Sequence, residues 1–105
     1  MRKPSVKCAL LAAMIAEHRW GSPIVEENLL SISAIEASDY DTASEVFDEL
    51  RSVTYITNRG KRGIELDNGE FGQLADVLYR ECEWDPFEIK SRLKHYEGWE
   101  NHDWA

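Results

Sequence analysis

No stretch of this 105-residue sequence is apolar for more than nine residues, and that run, Cys8 to Ala16, gives way at once to Glu17, His18 and Arg19. A bilayer-spanning helix needs about 20 consecutive apolar residues, so the run reads as a core helix rather than a membrane anchor. Arg2 and Lys3 precede it as in a secretion signal, but helical periodicity continues into charged residues and no persuasive small-residue cleavage site follows. The expectation is a cytoplasmic protein. Cysteine is scarce: Cys8 and Cys82 stand 74 positions apart with no CxxC, and two scattered cysteines of this kind are expected as buried free thiols. Catalytic signatures are missing too. There is no GxSxG, HExxH or phosphate-binding loop, and His18, His95 and His102 lack the spacing of a zinc set. His95, His102 and Asp103 read as solvated polar residues, so no enzyme, metal or cofactor is expected. Neither a solenoid repeat nor a Pro- and Ser-rich run is visible.

Basic residues are also absent from one long segment. Between Trp20 and Leu50 there are eight acids (Glu26, Glu27, Glu36, Asp39, Asp41, Glu45, Asp48, Glu49) and no Lys or Arg. Twenty acids against twelve Lys and Arg give a net charge of −8, so twelve acids and twelve bases remain elsewhere and this segment carries the whole imbalance. With five Lys against twenty acids, the balance resembles that of proteins from salt-loving archaea, whose carboxylate-rich surfaces stay soluble in concentrated salt. What the chain has in quantity is core material: 43% hydrophobic residues, with four Trp, four Tyr and three Phe. At this length one core is expected, with residues 1–98 as one domain and 99–105 as an aromatic tail.

Helical spacing recurs five times. Pro4 suits a first turn, and Val6, Leu10, Leu11, Ala13, Met14 and Ile15 give a wide apolar stripe, predicting a first helix over about 4–19. Gly21 stops it, and Ser22-Pro23 reads as the cap and first residue of a second helix that ends near Ile35. Ser38, Asp39 and Asp41 compete to cap a third, whose apolar face is Ala43, Val46, Phe47 and Leu50 and which ends about Ser52. Phe71, Leu74, Ala75, Leu78 and Cys82 predict a fourth to about Glu83. Asp85, Pro86 and Glu88 form a capping-box start for a fifth that runs to about Glu97, with Trp84 placed to staple onto Ile89.

Thr54 to Gly69 breaks the helical pattern. Tyr55, Ile56 and Thr57 favour strands, Arg59-Gly60-Lys61-Arg62-Gly63 supplies turn glycines, and Ile64 and Leu66 alternate with Glu65 and Asp67. This is a β-hairpin with a basic tip. The resulting order of three helices, a hairpin and a helix resembles the winged helix-turn-helix family over residues 4–83. The fold class implied is α+β, mostly helical, with a β-hairpin wing and two C-terminal helices. The resemblance implies a small DNA-binding regulator whose third helix reads the major groove and whose wing touches the adjacent backbone. On this sequence the reading-helix positions are Tyr40, Thr42, Ala43, Ser44 and Arg51, and the wing positions are Asn58, Arg59, Lys61 and Arg62. Regulators of this kind pair through terminal helices, so a homodimer through the first, fourth and fifth helices is expected, with double-stranded DNA as partner.

Acids on the third helix favour a different partner. Asp41, Glu45, Asp48 and Glu49 repel phosphates, although at 1 M salt such repulsion is screened over about 3 Å. The alternative is a winged-helix adaptor whose acidic face meets a basic protein surface without nucleic acid. A second basic cluster, Lys90, Arg92, Lys94 and His95, reads as a solvated helix surface, and Trp99 and Trp104 as rings that fold back on the domain or a second subunit.

Overall fold

The computed structural model describes all 105 residues. Helix α1 (Lys3–Ala16) starts with Pro4 in its first turn, where the missing N–H does no harm. It buries Val6, Leu10, Leu11, Met14 and Ile15 against α2 (Glu26–Ile32) and α3 (Tyr40–Leu50). The third helix contributes Ala43, Val46, Phe47 and Leu50, the apolar face its spacing predicts. Phe47, Leu10, Met14 and Leu29 are fully buried at this junction, and each such side chain stabilises the fold by about 1.5–3 kcal/mol.

The second helix begins later than the Ser22-Pro23 signal predicts. Ile24 instead exchanges two backbone hydrogen bonds with Ile64, at 2.9 and 3.1 Å, and Leu66 N–H donates to the Arg19 carbonyl at 2.8 Å. The two bonds to β2 hold Ile24 extended, so the helix cannot begin until the chain has passed it. Val25 then stands at the N-cap without a side-chain bond, and the helix ends at Ile32 rather than Ile35. Asp39 is the N-cap of α3, yet its carboxylate accepts from the Met1 ammonium at 2.7 Å and from no backbone N–H.

The hairpin consists of β1 (Ile56–Asn58) and β2 (Ile64–Leu66), paired antiparallel with Ile56 opposite Leu66 and Asn58 opposite Ile64. A single 3₁₀ turn, Gly60–Arg62, makes the tip. Gly63 has φ +99°, and a Cβ there would lie 1.9 Å from the Ile24 carbonyl oxygen. No other residue type fits that crossing of hairpin and α1–α2 connection.

Helix α4 (Phe71–Arg80) and α5 (Pro86–Arg92) pack together, and Asp85 caps α5 by accepting the Glu88 N–H at 2.9 Å. Both are shorter than their apolar spacing predicts. Glu83, at φ +60°, turns the chain between them, and Leu93 closes α5. Beyond it the last residues fold onto α4. Trp104 stacks on Tyr79 at 4.6 Å between ring centroids and donates its indole N–H to Asp76 at 3.2 Å, while Arg80 holds Asp103 at 2.7 Å.

One expectation is overturned. Cys8 and Cys82 are not free thiols but joined in a disulfide, with their Cα atoms 5.5 Å apart, inside the usual span for such a bond. The reason is spatial: the first turns of α1 lie beside the residues that leave α4, where Lys7 also pairs with Glu81. A separation of 74 residues in sequence hides that neighbourhood. No helix is long and apolar enough to cross a membrane.

Candidate functional site

The residues singled out by sequence fall into two adjoining surfaces, the outer side of α3 and the hairpin tip, and the structure sorts them by whether the chain itself already uses them. Arg51 follows directly on α3. Its guanidinium lies 5.0 Å over the Phe47 ring, and Nη1 donates to Asn58 Oδ1 at 2.7 Å and to the Gly60 carbonyl at 3.1 Å. Asn58 Oδ1 also accepts the Gly60 N–H at 3.0 Å. These bonds fasten the end of the helix to the bend of the hairpin, so Arg51 and Asn58 position the tip.

Arg59 is engaged as well. Its Nε donates to Glu65 Oε1 at 2.5 Å, and the Glu65 side chain is only 4% exposed while that of Arg59 is 49% exposed. Strand alternation marks Glu65 as a solvent-facing position, but the structure buries it, and its second oxygen has no hydrogen-bond partner in the chain. A buried carboxylate needs a cation, and Arg59 supplies it. Sequence reasoning missed Glu65. Only the folded register shows the pair, since it sets Glu65 opposite Thr57, two residues before Arg59.

Lys61 and Arg62 differ from both. They occupy the 3₁₀ turn at the tip, are exposed, and make no ion pair or side-chain hydrogen bond within the chain. Two free cations thus stand on a bend braced from below by Arg51, Asn58 and Arg59.

The helix positions are less available. Ser44 Oγ donates to the Glu26 carboxylate, 3.2 Å from each oxygen, and so ties α3 to α2. Thr42 is half-buried on a flank, Ala43 is in the core, and Tyr40 is exposed at the first turn. The outward line of the helix is formed instead by Asp41, Glu45 and Asp48, at four- and three-residue spacing and all exposed. Lys3 reaches Glu49 at 3.0 Å and Glu45 at 3.5 Å, and the Glu49 hydrogen bond and charge raise its ammonium above the ordinary lysine value. Asp48 has only Arg51 Nε, at 3.7 Å, and keeps 72% of its side chain in solvent.

The three polar groups weighed for a metal go separate ways. His102 stacks on Trp104 at 4.6 Å, Asp103 pairs with Arg80, and His95 lies past α5. Comparison with protein-family models, with curated proteins and with solved structures returned no match.

Proposed function

We propose that this is a small winged-helix DNA-binding protein that touches the duplex through its hairpin tip and acts as a transcriptional regulator. One observation carries the reading: Lys61 and Arg62 are unpaired at the tip of a hairpin held rigid by Arg51, Asn58 and Arg59. Cations on a fixed bend meet phosphates with little loss of freedom. Pairing of the α1–α2 connection with β2 supports the same reading, because it sets the hairpin at a fixed place beside α3. Contacts of this kind hold the DNA backbone and carry no sequence information. Base reading would fall to Tyr40, exposed at the first turn of α3, and to half-buried Thr42, with the Asp41 carboxylate between them. A homodimer would bring two tips to the same duplex.

The test is fluorescence anisotropy with duplexes of unrelated sequence across a range of KCl. Replacing Lys61 and Arg62 by Gln weakens binding to all of them and flattens the dependence on salt by about two phosphate contacts. Unchanged affinity and slope would contradict the assignment. Arg59 is unsuited to this test, since its removal strands the buried Glu65.

A second reading rests on Asp41, Glu45 and Asp48, the exposed acidic line on α3. It makes the protein an adaptor for a basic protein surface. Recovery of a stoichiometric protein partner that is lost in Asp41→Asn/Asp48→Asn, with no DNA binding at low or high salt, would favour it.

A further inference from the structure

Six of the twelve Lys and Arg residues form ion pairs inside the chain, namely Lys3, Lys7, Arg19, Arg51, Arg59 and Arg80. Apart from Arg2, the unpaired ones gather in two places: the hairpin tip, and Lys90, Arg92 and Lys94 on and just beyond α5. Arg92 and Lys94 border a hollow of about 240 Å³ where the end of α5 meets the turn before α4 and the connection after α1. Its floor is Trp20, Phe71 and Leu93, of which Leu93 is buried and the two rings lie 5.6 Å apart. Exposed His18, Asn68 and His95 complete the rim.

Three properties set this hollow apart. No carboxylate lines it, in a chain with twenty acids. Another hollow of about 240 Å³, between α1 and α3, also holds two lysines, but Glu49 and Glu81 line it and neutralise Lys3 and Lys7. In the α5 hollow the cations are free, so an incoming anion breaks no internal pair. The floor is aromatic and aliphatic, which selects an apolar, flat group. The Trp20 indole N–H itself is buried with no acceptor in the chain, so its resonance reports on the packing of this corner.

The geometry points to a binding site for a small organic anion bearing one flat apolar ring, an aromatic carboxylate in its simplest form. The ring lies on Trp20, Phe71 and Leu93, and the carboxylate faces Arg92 and Lys94, with the His18 and His95 imidazoles and the Asn68 amide as further hydrogen-bonding groups. The volume is below the roughly 300–1,000 Å³ of sites for drug-sized ligands, which limits the occupant to about one ring. The site shares no residue with the hairpin tip, so it stands or falls apart from DNA binding.

The test is an NMR titration of the isotope-labelled full chain with benzoate and phenylacetate, using benzamide and acetate as controls. At least one of the two aromatic acids is expected to give saturable shifts at the Trp20 indole and along Phe71 and Arg92–His95. Benzamide, which keeps the ring and loses the charge, and acetate, which keeps the charge and loses the ring, bind at least about tenfold more weakly, the factor a charge-assisted hydrogen bond or a buried ring supplies. Arg92→Gln/Lys94→Gln weakens the acid by a similar factor without changing the unfolding temperature, whereas Lys61→Gln/Arg62→Gln leaves it unchanged. No saturable shift with either acid, equal affinity for benzoate and benzamide, or shifts centred elsewhere would overturn the site.

Discussion

The hairpin tip and the end of α5 carry the same charge on opposite shapes. At the tip, Lys61 and Arg62 stand on an exposed turn with backbone beneath them; at α5, Arg92 and Lys94 border a hollow with an aromatic floor. A projecting pair suits a surface of repeating phosphates, and a concave pair suits one small anion. Charge alone does not separate these uses, and in the sequence both clusters are merely basic. The difference comes from what lies under each: Arg51, Asn58 and Arg59 fill the space below the tip, whereas Trp20, Phe71 and Leu93 leave a space open below the α5 cations.

If the tip is held as described, its two glycines respond very differently to a methyl group. Gly63→Ala pushes a Cβ into the Ile24 carbonyl at a positive φ, and strain plus overpacking cost about 2–5 kcal/mol. Gly60, also at positive φ but with nothing within 4 Å, loses only the backbone term of about 1–2 kcal/mol as Ala. Urea unfolding of the two variants measures the contrast, and equal losses would mean that the hairpin does not lie against the α1–α2 connection.

Next in size is the disulfide between α1 and the residues that leave α4. Cys8→Ser/Cys82→Ser lowers stability by about 2–4 kcal/mol through the freedom restored to the unfolded chain. Because the bond joins α1 to the residues that leave α4 and touches neither proposed site, both proposed affinities are expected to be unchanged in the folded double variant. Thiol titration of the denatured chain, with and without reductant, establishes that the bond is present.

Within the tip, Arg59→Ala leaves Glu65 buried with no partner and destabilises by about 1–3 kcal/mol. Adding Glu65→Gln recovers part of the loss. Lys61→Ala, by contrast, stays within about 0.5 kcal/mol of the parent. A thermal melt showing Lys61→Ala as harmful as Arg59→Ala would erase the distinction between bracing and free cations.

The smallest effect concerns the aromatic tail. Partial burial pushes the Asp76 carboxyl up, but hydrogen bonds from Arg80 and Trp104 outweigh it and hold the group below its ordinary value. Its contribution to docking the tail is therefore full above the unfolded value of about 3.9 and is lost as pH falls through the folded value. For so exposed a group the contribution is under about 1 kcal/mol. Trp fluorescence followed downward from neutral pH shows the release, and Asp76→Asn lacks that step.

Most of this architecture could be read from local pattern. The spacing of Val6, Leu10 and Met14, of Val46, Phe47 and Leu50, and of Leu74 and Leu78 marks helices because each buries one face, and Asp85-Pro86 marks a start because the cap is local. Asn58 to Ile64 marks a hairpin for the same reason. What escaped notice depends on residues distant in sequence. Ile24 pairs with Ile64 and overrides the Ser22-Pro23 helix start; Met1 takes the Asp39 carboxylate away from its cap; Cys8 meets Cys82. Site residues divide in the same way. Lys61 and Arg62 were legible as exposed because a turn exposes its tip, whereas the engagement of Arg51 with Asn58, Arg59 with Glu65 and Ser44 with Glu26 requires the packed structure.

The central claim is that this molecule meets DNA with the hairpin tip and not with its other basic cluster. The most direct measurement is an amide-shift titration of the labelled chain with a short duplex at moderate salt. The account predicts shifts centred on residues 58–63 and extending to the first turn of α3, with residues 90–95 unmoved. Shifts centred on residues 90–95, or none at any salt concentration, would contradict it.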